Sequence, residues 1–321
     1  MSSRLSSETI KAEARSLGFS ACGVAEAGQV DKTHADAFIR WIKAGGHAGM
    51  DYMAHNTDKR LDPTLLMPGV KSIVCVALNY SPAQRLPAGE PQIAAYALGR
   101  DYHDIMKSKL HTLAANLGIS TYRAFCDTAP VLERYWAEQA GIGWTGRNRQ
   151  LIIPHAGSMF FLGELFLDIC LDYDKPIQQR CGTCRACTQA CPTGALGYDG
   201  TFDAGMCLSY LTIENRGTIP RPAAEKMGNC IYGCDRCQDA CPWNRFAKPT
   251  EEQLLAPKPE LVSMTRADWQ QLTVEQYRTL FKGSAVKRAK YEGLTRNISA
   301  ATRNQANCQD ANEAQLKKQE K

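Results

Sequence analysis

The stretch Cys181-Gly-Thr-Cys184-Arg-Ala-Cys187-Thr-Gln-Ala-Cys191-Pro192 has a shorter partner in Cys234-Asp-Arg-Cys237-Gln-Asp-Ala-Cys241-Pro242. Two-residue gaps let one tight loop aim successive thiolates at different irons of a single cubane. The last Cys of each run is set off by three residues, is followed by Pro, and points elsewhere. This is the spacing of a two-[4Fe–4S] ferredoxin, in which the offset Cys serves the other cluster. Cys181, Cys184, Cys187 and Cys241 therefore form one set, and Cys191, Cys234 and Cys237 form a second that lacks one ligand. Cys207 and Cys230 compete for that place. Cys230 precedes Cys234 closely, as in a regular ferredoxin, but across a gap of three residues rather than two. Zinc would want one tetrahedral foursome and explains neither the number of thiols nor the two Cys-Pro endings.

At 321 residues and 44% hydrophobic, the chain can bury a sizeable core in two or three domains. Its start, Met1-Ser-Ser-Arg-Leu-Ser-Ser, has no apolar signal core, and the apolar runs at 73–78 and 159–167 are short or carry Glu164. No export signal or membrane span is expected, and a cytoplasmic location is. Most of the Cys residues fall in metal-ligand spacing, which suits a reducing compartment. Cys22, Cys75, Cys126 and Cys170 are expected to be buried small hydrophobes. The net charge of +5 is a mild bias towards anionic partners.

In chain order, the periodicity predicts a helix over 8–17 closed by Gly18, a strand over 19–25 and a helix over 31–44. A polar, aromatic-bearing segment of mixed character follows at 47–68. A strand is predicted over 71–80, a helix over 101–117 and a strand over 121–126. Asp127 closes that strand, and Pro130 is expected at the first position of a helix running to 140. Residues 151–154 and 159–167 are expected to pair with each other around a turn at 155–157. Strands alternating with helices imply an α/β or α+β catalytic domain. A polar residue at a strand's carboxyl end, facing a helix start, is where open α/β sheets place sites. Asp127 on this evidence alone is equally an N-cap. Beyond the clusters, 264–281 reads as helices and 305–321 as a polar, disordered tail.

Combined, several motifs resemble epoxyqueuosine reductase, the cobalamin-dependent iron–sulfur enzyme family of queuosine synthesis in tRNA. They are H-A-G-M-D-Y-M from His47, K-R-L-D-P from Lys59, A-L-G-R-D-Y-H from Ala97, F-C-D-T-A-P-V-L-E-R from Phe125 and A-G-I-G-W-T-G-R-N from Ala140. C-P-T-G-A from Cys191, L-T-I-E-N from Leu211, G-C-D-R-C-Q-D-A-C-P-W-N from Gly233 and G-S-A-V-K-R from Gly283 complete the set. The resemblance implies a corrinoid-binding α/β (α+β) domain like that of reductive dehalogenases over 1–174 and a two-cluster ferredoxin-like domain over 175–248, with an insertion at 201–233. A helical basic segment is expected over 249–304.

The implied reaction removes the epoxide oxygen of epoxyqueuosine at the tRNA wobble position, electrons passing from two [4Fe–4S] clusters to cobalamin and then to the epoxide. Asp127 is then the proton donor, and Cys207, in M-C-L-S-Y, becomes the missing ligand of the second cluster. Cobalamin contacts are expected from Asp127, Ser158, Leu162, Ser209 and Asp235. Contacts to the substrate or tRNA are expected from Tyr102, His103, Lys287, Arg288 and Lys290. The D-x-H-x-x-G motif of base-off corrinoid binding is nearly met at Asp101 and His103, but Met106 replaces its Gly, so no histidine is expected on cobalt. His47, His55 and His111 are expected on the surface or in packing.

Arg147 stands where the family usually has Lys, Cys230 is an additional thiol, and longer members continue into helical repeats past Arg296. Between Arg278 and Arg303, Arg278, Lys282, Lys287, Arg288, Lys290, Arg296 and Arg303 face one acid, Glu292, a pattern suited to phosphate contacts. The implied partners are a tRNA with a queuosine-type anticodon and a low-potential electron donor of flavodoxin or ferredoxin class; a monomer is expected. Two other classes fit parts of the chain. One is a non-catalytic electron-transfer module, and the other a corrinoid reductive dehalogenase acting on a small molecule.

Overall fold

The strand Ser72–Asn79 (SIVCVALN) is buried along all but its last residue, as a continuous apolar run must be when both faces of its sheet are covered. The structure, a computed structural model, describes residues 5–303. In it this strand lies inside a four-stranded sheet ordered Ala21–Glu26, Ser72–Asn79, Phe160–Leu167, Tyr122–Phe125, with every neighbouring pair antiparallel. The α+β alternative is therefore the one realised.

Helices Ser7–Ser16 and Tyr102–Asn116 cover one face through Ile10, Ala14, Met106, Leu110 and Leu113. The other face packs Phe125 and Phe166 against Trp136 and Ala137 of helix Glu133–Gln139. Each large apolar side chain buried here contributes about 1.5–3 kcal/mol relative to exposure. Gly163 sits in the strand where a Cβ would come within 2.7 Å of Met106, so the missing side chain lets helix Tyr102–Asn116 lie close on the sheet.

Two expectations about this domain fail. Phe160–Leu167 does not pair with 151–154: its register runs Asn79↔Phe160 and Phe125↔Glu164, while Leu151–Ile152 pairs with Trp144–Thr145. Only the bridge Ile153↔Gly157 survives from the expected hairpin, because an eight-residue strand satisfies more backbone inside the sheet than in an isolated ribbon. Pro130 does not open the next helix, which has Leu132 as N-cap and begins at Glu133. Two tight turns, Thr128 N–H to Cys126 O and Val131 N–H to Ala129 O, use up the intervening chain. Cys75 and Cys126 are buried as expected, but Cys22 is half-buried and Cys170 is exposed, since the chain has left the sheet after Leu167.

A second core joins three stretches: Ile93, Ala97 and Leu98; Leu208, Leu211, Ile231 and Tyr232; and Trp269, Phe281, Val286, Leu294 and Ile298. Short helices Arg266–Gln270 and Val274–Leu280 both open on Thr capping boxes, the reciprocal pairing that satisfies free N–H groups at a helix start. A further helix covers 290–303. The expected tail at 305–321 lies outside the described residues. No helix among the described residues is long and apolar enough to cross a membrane.

Candidate active site and cluster ligands

Asp127 follows strand Tyr122–Phe125 with φ of 59°, at the centre of the three-residue turn closed by Thr128 N–H and Cys126 O at 2.6 Å. A non-glycine residue pays steric strain in the left-handed region and persists there only when its surroundings hold it. Here the Asp127 N–H donates to the carboxyl of Glu133, on the first turn of the following helix. Its side chain, 60% accessible, is thereby presented outward beside the sheet.

Two neighbouring residues of helix Tyr102–Asn116 converge on one oxygen of that carboxylate. The Tyr102 hydroxyl donates to Asp127 Oδ2 at 2.5 Å, and its ring is stacked on Phe161 at 4.1 Å and nearly parallel. His103 Nε2 stands 3.4 Å from the same oxygen. The other ring nitrogen, Nδ1, is 2.6 Å from Asp101 Oδ1. Asp101 is the helix N-cap, accepting from His103 N–H, so capping and imidazole orientation come from one side chain.

Burial works against a charged His103, but hydrogen bonds to Asp101 and Asp127 outweigh it and raise the imidazole to about 9. The protein packed around the Asp127 carboxylate, although one side of it is open to solvent, works against its ionised form, yet the bonds from His103 and Tyr102 hold the carboxyl below the ordinary range. At neutral pH the pair is an imidazolium against a carboxylate, with the transferable proton on His103.

Beneath this arrangement lie two acids that the sequence reading did not single out. Burial, and then the charge of Asp127, push the Glu133 carboxyl up to about 8. Glu164, on the inner strand, is fully buried, both its oxygens lack a partner, and burial drives it far above the carboxylate range. Both are neutral acids near pH 7. The signal for Glu164 was available, since an acid inside an otherwise apolar strand must be paired or protonated. Arg60, 8% exposed, donates to Tyr52 O at 3.0 Å and feels the charges of Asp127 and Glu133.

The cysteines of the two runs and Cys207 lie close enough to feel one another. Burial raises Cys187, and the nearby Cys181 and Cys184 thiols add to the effect; Cys241, raised by burial, also feels Cys181 and Cys187. In the second expected set, burial raises Cys207 and Cys237; Cys207 feels Cys234 and Cys191, and Cys237 feels Cys234, Cys207 and also Cys187 of the first. Backbone N–H groups meet the sulfurs: Ser209 and Tyr210 at Cys207, Trp243 and Asn244 at Cys241, Thr188 at Cys187, Arg236 at Cys234. Such donors stabilise thiolates and tune clusters, so the chemistry of this donor set suits iron–sulfur cubanes, although among the described residues no three of these side chains converge on a single metal position. The Cys230 thiol sits against that of Cys234, beside a cavity of about 420 Å³ that Arg85 and Arg236 also line.

A family model described as "4Fe-4S double cluster binding domain" matches residues 180–244, and one described as "Epoxyqueuosine reductase QueG, DUF1730" matches 60–128. The epoxyqueuosine reductase of Cellulophaga algicola is 43% identical over 91% of this chain and 96% of its own length. That of Escherichia coli K12 is 39% identical over 92% of this chain and 80% of its own. The chain belongs to the epoxyqueuosine reductases. Among solved structures, an epoxyqueuosine reductase with an epoxyqueuosine-modified tRNA-Tyr stem loop superposes with a TM-score of 0.82 at 30% identity, over 92% of this chain and 80% of that one. A Bacillus subtilis epoxyqueuosine reductase, whose catalytic aspartate loop is swung out of its active site, gives a TM-score of 0.80 at 29% identity over the same shares.

The remaining residues expected from the epoxyqueuosine reductase resemblance are unevenly placed. Leu162 pairs with Ala77 and lies two residues from Glu164, the partner of Phe125 at the end of strand Tyr122–Phe125. Leu162 and Phe160 are only half-buried and pack on the core of Phe125 and Phe166, leaving some apolar surface open on that strand. Ser158 is committed to the cluster domain: its N–H donates to Asn244 Oδ1 at 2.6 Å and its carbonyl accepts from Gln238 at 2.8 Å. Asp235 accepts from Ala95 N–H at 2.7 Å, and burial raises it to about 6. Tyr96 stands between the two halves, feeling the charges of both Asp127 and Asp235. Ser209 offers its N–H to Cys207.

In the basic segment, Arg288 is held by Glu214 through two 2.9 Å bonds and lies over Tyr52 at 5.8 Å. Arg296 turns inward to carbonyls of Leu211, Asn215 and Gly217. Lys287 and Lys290 are exposed and, with Arg278, line a recess of about 300 Å³. His111 bonds Tyr122, His47 packs on Trp41, and His55 is exposed.

Proposed function

We propose that this protein reduces epoxyqueuosine to queuosine in the wobble position of tRNA, with Asp127 delivering the proton to the opening epoxide. The observation that carries the reading is the accessible Asp127 carboxylate with Tyr102 and the His103 imidazolium on one oxygen. Converting the epoxide to an alkene and water takes two electrons and two protons, and the oxygen leaving as an alkoxide needs a proton where charge develops. His103, holding a proton up to about pH 9, passes it through the ionised Asp127 to the alkoxide, and the second proton of the released water comes from solvent. Asp101 keeps the imidazole aimed, and Glu133 holds the turn that presents Asp127.

Bound clusters and cobalamin would supply single electrons and a strongly carbon-directed reductant. Cys181, Cys184, Cys187 and Cys241 would hold one cubane and Cys191, Cys207, Cys234 and Cys237 the other. The half-covered apolar surface of Phe160 and Leu162 would receive the corrin beside Asp127, with Ser158, Ser209 and Asp235 on the cluster side. Lys287 and Lys290 would meet the tRNA backbone, with Arg288 held beside them by Glu214. Labour divides near residues 174 and 248, and the setting is cytoplasmic, with a small low-potential redox protein as donor.

Relatives named for this reaction, and a solved one holding the modified tRNA-Tyr stem loop, support the reading. Its test is anaerobic reconstitution with iron, sulfide and cobalamin, then nucleoside analysis of epoxyqueuosine-bearing tRNA with a chemical reductant. Queuosine should appear and corrin should remain bound. Intact clusters with neither product nor retained corrin would leave a bare electron carrier.

A further inference from the structure

Of the eight cysteines assigned to clusters, Cys184 alone is exposed, Cys187 is buried and the other six are half-buried. The first cluster site therefore opens at the Cys181–Cys184 loop. Three stretches meet around it: Arg147 donates to Gly182 O at 2.8 Å, Trp144 packs edge-on against Trp243 at 4.9 Å, and Cys241 completes the site. Residues 144–150, 175–191 and 241–248 carry Arg147, Arg149, Lys175, Arg180, Arg185, Arg245 and Lys248 and contain no Asp or Glu. Lys175, Arg180, Arg245 and Lys248 are exposed. Of the flanking carboxylates, Asp239 pairs with Arg85 at 2.8 Å, Glu138 accepts from Thr145 N–H and Asp174 pairs with Lys11 at 2.7 Å, which leaves the exposed Asp172 and Glu251.

The second cluster site faces the opposite task. Its Asp235 is bonded to Ala95 N–H, next to Tyr96, whose ring meets Tyr102 at 6.2 Å, and Tyr102 touches Asp127. One site thus abuts the chemistry and the other abuts solvent, bordered by stretches in which basic residues outnumber acids. Positive surfaces of this kind speed encounter with negatively charged partners by about 10–10³-fold and lose the advantage in salt.

We infer that the face around Cys184 is the electron entry port, where a small acidic redox protein docks. The inference rests on the function proposed above. At this port a reduced donor loses one electron, the site of Cys181, Cys184, Cys187 and Cys241 gains it, and no bond or proton moves.

The test uses the full reconstituted chain, with a reduced acidic ferredoxin as probe. Stopped-flow bleaching gives the second-order rate of cluster reduction across a salt series, and titration calorimetry gives binding of the oxidised ferredoxin. The variant Arg180→Glu/Arg245→Glu should lower both rate and affinity about tenfold at low salt and flatten the salt dependence. Reduction by dithionite, iron content and tRNA affinity should stay as in the wild type, and a milder Arg180→Gln/Arg245→Gln pair should fall between. Unchanged ferredoxin rate and affinity would overturn the inference. So would a loss of tRNA affinity in their place, which would make this face an RNA surface. Failure of the proposed function would show separately, as absence of queuosine from the dithionite-driven wild-type reaction.

Discussion

His103 Nε2 stands 3.4 Å from Asp127 Oδ2 while its Nδ1 stands 2.6 Å from Asp101 Oδ1. An imidazole between two carboxylates holds a proton beyond neutral pH, here up to about 9. Turnover should fall as pH rises through that value. His103→Gln should lose roughly 10²-fold in rate, and its profile should no longer break near pH 9. The raised imidazole also stabilises the fold below the ordinary histidine range, a contribution lost as pH climbs through about 9. A pH–rate series on both proteins checks this, and an unshifted break in the variant would remove His103 from the proton path.

Glu133 carries the opposite consequence for stability. Its carboxyl is raised to about 8, so the fold favours the protonated acid and loses stability as pH rises from the carboxylate range through about 8. Glu133→Gln keeps an oxygen for Asp127 N–H and does not titrate. Denaturant unfolding should therefore find the variant level with the wild type near pH 4 and increasingly the more stable up to pH 8. Equal slopes of stability against pH in the two proteins would place an ionised Glu133 in the native state.

The cysteine spacing made both clusters legible because ligand geometry is local to a loop. The long strands were legible because apolar runs and terminal Gly report burial directly. What failed was pairing. Nothing in 159–167 says that Phe160 will face Asn79 rather than 151–154, since register is decided by which buried faces meet. The helix start was misread at Pro130 because the turn around Asp127 is stabilised by Glu133, a contact of tertiary geometry. The basic count in 278–303 was right, but Glu214 and the carbonyls claiming Arg296 come from another stretch.

Cys207 receives two backbone N–H groups and lies near Cys234 and Cys191, whereas Cys230 meets Cys234. Cys207→Ala should therefore lose one cubane, roughly half the bound iron. Cys230→Ala should keep iron and activity. Iron and sulfide assays with electron paramagnetic resonance decide between them, and a reversed pattern would hand the ligand place to Cys230.

Because Arg288 and Arg296 are engaged within the protein, the contribution of this segment to tRNA binding falls to its exposed cations, of which Lys287 and Lys290 share one recess with Arg278. Replacing Lys287 and Lys290 with Gln should weaken tRNA binding and lower the log–log salt slope by about 1.5–2. Affinity and slope equal to the wild type would show that the segment is not a tRNA platform.

The most direct test of the whole account compares wild type and Asp127→Asn in one anaerobic single-turnover reaction on epoxyqueuosine tRNA, read by nucleoside analysis, with iron and corrin measured on the same samples. The account predicts queuosine from the wild type and about 10²–10⁴-fold slower formation by the variant at equal cofactor content. Wild-type rates from Asp127→Asn would contradict it and leave Asp127 as a turn residue.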